Sequence, residues 1–155
     1  MLYLESENMG PKTSETRSHL LFSINELHLG ADLSQVREIV PVPPIVRLPK
    51  ASAEVRGIAN LHGEIVGVID LTRKLGLPAS KTDSAGSGAR LIVAEISQGL
   101  RGLLADRVFR VVQSKENNIQ TISDDSPVDR RFCLGKINVD RQFFFILDLN
   151  RLLSI

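Results

Sequence analysis

Apolar residues in this chain fall in short runs and alternations separated by turn-forming pairs, a spacing that predicts β-strands and no long helix. Leu20 to Ile24 and Leu27 to Ala31 are expected to form a hairpin around Asn25-Glu26. A second hairpin is expected from Ile58 to Leu61 and Glu64 to Ile69, with His62-Gly63 as its turn, because Gly63 can take the positive φ such turns require. The stretch Ile65-Val66-Gly67-Val68-Ile69 is apolar and β-branched enough to be buried on both faces. Asp70 is then a good N-cap for a short helix over Leu71 to Leu75.

Between the hairpins, Asp32 or Ser34 can cap a short amphipathic turn. Leu33, Val36 and Ile39 or Val40 would lie on one side of it and Arg37 and Glu38 on the other. Pro41, Pro43 and Pro44 stop it. Ile45 to Leu48 reads as a short extended piece, Pro49 to Ser52 as a break, and Ala53 to Arg56 as a single helical turn leading into the second hairpin.

The pattern then returns. Gly57 to Leu75 matches Gly135 to Leu153 without a gap at a displacement of 78, pairing Gly57 with Gly135, Asn60 with Asn138, Asp70 with Asp148 and Arg73 with Arg151. The opening hairpin returns at a displacement of 72, as Leu91 to Ile96 and Leu100 to Leu104, with Val36 matching Val108. Gly76 to Arg90 is rich in Gly, Ser and Ala and reads as a linker. With about five short strands on each side of it, each half suggests a small closed barrel. The expected organisation is a loose polar tail over 1–17 and one domain over 18–155, divided into halves of about 18–77 and 90–155 by a linker over 78–89.

Composition narrows the function classes. The 155 residues suit one domain, with 43% hydrophobic and 24% charged residues. A net charge of +1 supplies no global field for nucleic acid or anionic lipid, and there is no tryptophan to stack bases. A single cysteine, Cys133, excludes an intramolecular disulfide and the usual zinc frameworks, and reads as a small core hydrophobe beside Phe132. His19, His28 and His62 show no ligand spacing, and Gly86-Ser87-Gly88 fits no phosphate-binding fingerprint, so neither a cofactor nor a metal is expected. No apolar run is long enough to cross a bilayer, and the first residues lack the pattern of a signal peptide, so a cytoplasmic setting is expected.

Four stretches carry a family resemblance: Gln35-Val36-Arg37-Glu38-Ile39; Val46-Arg47-Leu48-Pro49; Arg56 to Gly63 running into Val68-Ile69-Asp70-Leu71; and Leu104-Ala105-Asp106-Arg107-Val108. Together, over roughly residues 18 to 153, they resemble the CheW-like domain, the family of bacterial chemotaxis coupling proteins. The resemblance implies an all-β fold of two SH3-like five-stranded β-barrel subdomains with a shared hydrophobic core and a few short helices. It implies a non-catalytic adaptor that couples transmembrane chemoreceptors to a histidine autokinase, a monomer in isolation that is recruited to membrane receptor arrays through its partners. By motif, Val36, Glu38 and Gly57 match the region that meets the regulatory domain of the kinase. Asn60, His62, Val108 and Val111 would line the groove that takes the cytoplasmic tip of a methyl-accepting chemoreceptor. One position departs from the family pattern: His62 stands where arginine is usual, replacing a permanent charge and a fixed fork of donors by an imidazole.

Each of these residues also has a plainer reading. His62 can be a solvated turn residue, Val36 core and Glu38 an exposed charge. Asp70 and Asp148 read as helix caps, and the recurrence of Asn60 as Asn138 favours a shared structural role. Two neighbouring functions also fit the residues: an adaptor for type IV pilus twitching or another chemosensory-like output, and a receptor-only array scaffold.

Overall fold

The computed structural model describes residues 16–78 and 88–154. Most of the expected tail and linker lie outside those residues. The strands are β1 (Thr16–Ile24), β2 (Leu27–Asp32), β3 (Val36–Pro41), β4 (Val55–Leu61), β5 (Glu64–Ile69), β6 (Arg90–Ile96), β7 (Gly99–Ala105), β8 (Arg107–Lys115), β9 (Cys133–Val139) and β10 (Gln142–Leu147). Two short helices, α1 (Leu71–Lys74) and α2 (Leu149–Leu152), follow β5 and β10.

These strands form two five-stranded sheets, ordered β8-β1-β2-β10-β9 and β3-β6-β7-β5-β4. The expectation that each half of the chain closes its own barrel is therefore corrected. The second sheet takes the continuous stretch from β3 to β7, and the first is built from the two ends of the described chain. The cause is the parallel pairing of β2 with β10 and of β5 with β7. Parallel neighbours need a crossover, so each hairpin of one half is completed by strands of the other. The expected linker consequently lies within the span of the second sheet and does not separate the sheets.

Three further readings change. The expected tail ends earlier, because Thr16 to His19 already pair with Val112 to Lys115 of β8. The amphipathic turn is only a 3-10 turn over Leu33–Gln35, capped by Asp32, and Val36–Pro41 is a strand against β6. Its apolar residues fit both periods, and the ladder with β6 decides for the strand. The turn expected over Ala53 to Arg56 falls one residue earlier, closed by the Val55 amide on the Ser52 carbonyl at 3.0 Å, and Val55 and Arg56 already belong to β4.

Both displaced repeats hold in three dimensions. Asp70 caps α1 by accepting from the Thr72 and Arg73 amides, and Asp148 caps α2 by accepting from the Arg151 amide. Three hairpin turns place both central residues at positive φ, Asn25 and Glu26, His62 and Gly63, Asp140 and Arg141, whereas the β6–β7 turn at Ser97-Gln98 puts Gly99 there instead. Asn60 Oδ1 accepts from the Gly63 amide at 3.1 Å, and Asn138 Oδ1 accepts from the Arg141 amide at the same distance. The repeated asparagine thus closes the repeated turn.

A main core lies between the sheets. Leu20, Phe22, Ile24 and Leu29 of the first sheet meet Ile69, Ile92, Ile96 and Leu103 of the second, with Leu149, Leu152 and Leu153 of the last helix and its end. Each sheet also encloses a smaller cluster: Leu21, Ile137, Phe144 and Ile146 in the first, and Ala59, Val66, Val68, Leu91 and Val93 in the second. Strands β1 and β6 are buried on both faces for this reason, and they read as continuous apolar runs.

Candidate functional site

At one end of the second sheet the β4–β5 hairpin tip meets the opposite edge strand, β3. His62 Nε2 lies 3.4 Å from Glu38 Oε2, and Arg37 lies 3.7 Å from Glu64. Two side-chain contacts thus join the outermost elements of the sheet. The His62 side chain is 75% exposed and that of Glu38 34%, so the pair faces solvent. An imidazole in this position makes an ion pair only when protonated, whereas an arginine would make one at any pH.

Gly57 lies further along β4, under the Ile45–Val46 segment. Its φ is +152°, and β4 carries a register shift between Val55 and Gly57. A Cβ at this position would lie 2.3 Å from the Val46 carbonyl oxygen and 2.8 Å from an Ile45 methyl. Val46 exchanges both backbone hydrogen bonds with Ile58 at 2.8 Å, which fixes that close approach. Gly57 is buried and presents no side chain; its role is to admit the Ile45–Val46 backbone. Val36 is half-buried and packs on the main core, while Glu38 and the exposed Ile39 hold the outer part of β3.

The four residues expected at the receptor groove fall in two places. Asn60 and His62 are at the β4–β5 tip of the second sheet. Val108 and Val111 are on β8, the outer strand of the first sheet, paired with Phe22 and Leu20, both of the main core. Val108 is half-buried against that core and Val111 is exposed. Val108 therefore marks the seam between the sheets, Val111 faces a cleft between β8 and β9 of the first sheet, and Asn60 and His62 mark an end of the second sheet.

Two features escape a reading by composition and motif. The first is an aromatic group beside the valines: His28 stacks on Phe109 at 5.7 Å, and Phe144 meets both rings edge-on. Arg107 lies over the Phe109 ring at 5.6 Å, and Gln142 Nε2 is 3.2 Å from His28 Nδ1. The second is an ion pair between Arg110 of β8 and Asp140 of the β9–β10 tip, at 3.0 Å. The displacement of 72 matches Arg110 to Glu38, and the displacement of 78 matches Asp140 to His62. Applied to charged residues, the two displacements were the signal that could have found it.

The remaining reactive groups are engaged in structure. Cys133 donates its thiol to the Gly135 carbonyl at 3.2 Å, and burial pushes its pKa up, which disfavours the thiolate. Among the described residues no group of three or more His, Cys, Asp or Glu side chains converges to hold a metal. The side chains gathered at the two sheet ends supply contact surface and ion pairs, which is the equipment of a binding module.

A model described as the CheW-like domain matches residues 18–155, and the chain belongs to that family. Its fold is the pair of SH3-like five-stranded subdomains expected from the resemblance. The chain is 30% identical over 142 residues to the probable chemotaxis protein CheW of Rhizobium etli, covering 89% of this chain and 88% of that protein. It superimposes on the crystal structure of the scaffolding protein TtCheW from Thermoanaerobacter tengcongensis with a TM-score of 0.81 at 29% identity, covering 91% of this chain and 94% of that one. Protein PilI of Pseudomonas aeruginosa is 30% identical over 79 residues, covering 51% of this chain and 43% of that protein.

Proposed function

We propose that this chain is a non-catalytic coupling adaptor of bacterial chemotaxis, holding the cytoplasmic tip of a chemoreceptor and the regulatory domain of a histidine kinase in fixed mutual geometry. The observation that carries this reading is the correspondence of 91% of the paired-barrel chain, at a TM-score of 0.81, with a scaffolding protein of the same family. The kinase surface is the outer part of β3, with Glu38 and Ile39 as contacts, Val36 anchoring the strand on the core and Gly57 admitting the Ile45–Val46 segment that follows it. The receptor surface is the outer strand β8 at Val108 and Val111, with Asn60 and His62 contributing from the hairpin tip. The protein acts in the cytoplasm and reaches the membrane through its receptor; among the described residues no helix is long and apolar enough to cross a bilayer. Each contact is modest in affinity, and the array gains stability from many contacts made at once.

The test is binding of the full chain to the regulatory domain of a histidine kinase from the same genome. Glu38→Lys and Ile39→Asp change exposed atoms and are expected to weaken binding about tenfold with the fold intact by circular dichroism. Wild-type protein that binds none of the genome's chemotaxis kinases sinks the coupling reading. A second reading, an adaptor of type IV pilus twitching, is favoured only by the partial match to PilI. Deletion of the gene, scored for swimming and for twitching separately, distinguishes the two outputs.

A further inference from the structure

Three arginines from three separate stretches of chain line one cleft beside the second sheet. Arg47 comes from the segment that bridges to β4, Arg56 from β4 itself and Arg73 from α1, with Leu48, Val55 and Leu77 forming its apolar part. The cleft has a volume of about 780 Å³, within the range of ligand-binding clefts.

Asp70 is the one carboxylate in the lining, and it is already engaged. Its Oδ1 accepts from the Thr72 amide, the Thr72 hydroxyl and the Arg73 amide, and its Oδ2 lies 3.8 Å from Arg56. Arg47 and Arg73 are exposed, and no acidic side chain among the described residues is within ion-pair distance of either. Arg56 is paired with Asp70, so the positive charge the cleft offers is that of Arg47 and Arg73, on a chain whose net charge is only +1. Beside it Val46 is 61% exposed and Leu48 40%, flanking Arg47 on both sides.

Cationic forks alternating with exposed apolar side chains call for a ligand with the complementary alternation. A lone small anion would meet the guanidinium groups and leave Leu48, which lines the cleft, in water. We propose that this cleft docks an acidic segment of a partner protein, with carboxylates against Arg47 and Arg73 and an apolar side chain against Leu48. Glu38, His62, Val108 and Val111 do not line the cleft, so this surface is additional to those assigned above.

The test is fluorescence anisotropy of a fluorescein-labelled Glu-Leu-Glu-Glu-Leu-Glu peptide titrated with the full chain, alongside its Gln-Leu-Gln-Gln-Leu-Gln counterpart and with inorganic pyrophosphate as competitor. Saturable binding is expected for the acidic peptide only. Arg47→Glu and Arg73→Glu should each weaken it about fivefold or more, and salt of about 1 M should abolish it. Both positions are exposed, and circular dichroism checks that the variants fold. The proposal is overturned by absence of saturable binding, by equal binding of the glutamine peptide, or by binding that neither variant changes. Complete displacement by equimolar pyrophosphate overturns it too, since the cleft would then be a small-anion site.

Discussion

Glu38 and His62 join the outer elements of the second sheet as Arg110 and Asp140 join those of the first, with the acidic and basic side chains exchanged. The strand residue is the acid in one pair and the base in the other; the separations are 3.4 Å and 3.0 Å. Glu38 and His62, which the family resemblance assigns to different partners, are therefore in direct contact in this chain. A substitution at either residue of the Glu38–His62 pair alters the environment of the other.

The pair is exposed, so its energetic worth is small. A double-mutant cycle of Glu38→Gln and His62→Ala, followed by urea unfolding, is expected to give a coupling of at most about 1 kcal/mol. His62→Arg restores the family's usual residue and should leave stability within about 0.5 kcal/mol, since the positive φ is borne by the backbone in either case. A large loss of partner binding in these variants at unchanged stability assigns the pair to recognition.

Glycine at 57 and 135 is required by space. Each has a φ above +150°, and an added Cβ would meet the Val46 carbonyl at 2.3 Å or an Ile119 methyl at 2.5 Å. Gly57→Ala and Gly135→Ala should each destabilise by more than about 2 kcal/mol. Gly63→Ala has nothing within 4 Å and carries only the strain of its φ, about 1 kcal/mol. Chemical denaturation orders the three. A Gly57 variant that loses kinase binding while unfolding at the wild-type urea midpoint would contradict the supporting role given to Gly57.

Asn60→Ala and Asn138→Ala remove the same hydrogen bond to a turn amide, at 3.1 Å in both cases. Each is expected to lower stability by about 1 kcal/mol, and by equal amounts. Unequal losses, with Asn60 near zero, would leave partner contact as the main role of Asn60.

His19 predicts an acid-labile fold. It lies on β1 opposite Asp32 and Val112, is 2% exposed, and its Nδ1 has no hydrogen-bond partner among the described residues. Burial holds its pKa below the ordinary 6.5; Asp32 opposes that depression and Arg17 adds to it. A depressed histidine stays neutral in the folded protein and takes up a proton on unfolding, so its contribution to stability is full above pH 6.5 and is lost as the pH falls through the depressed value. For the neighbouring Asp32, burial acts upward but hydrogen bonds from Ser34 and the charge of Arg17 prevail, placing it below 3.8, so its own loss falls at lower pH. The urea midpoint of the wild type should drop between pH 7 and pH 5 by more than that of His19→Leu. Parallel curves for the two proteins would remove His19 as the cause.

The sequence by itself determined what depends on near neighbours. Turn chemistry at Asn25-Glu26 and His62-Gly63, the caps at Asp70 and Asp148, and the repeated hairpins were all legible, because each rests on contacts a few residues apart. The amphipathic turn was misread because Leu33 to Val40 satisfies two periods, and only the ladder with β6 selects one. Tertiary structure alone decided how the halves combine. The antiparallel pairing of β1 with β8 and the parallel pairings of β2 with β10 and β5 with β7 join residues distant in sequence. Their closure entropy is offset by burial in a core that neither half holds alone. The meeting of Glu38 with His62 belongs to that second class, since curling a sheet end to end brings together two side chains whose separation along the chain gives no sign of it.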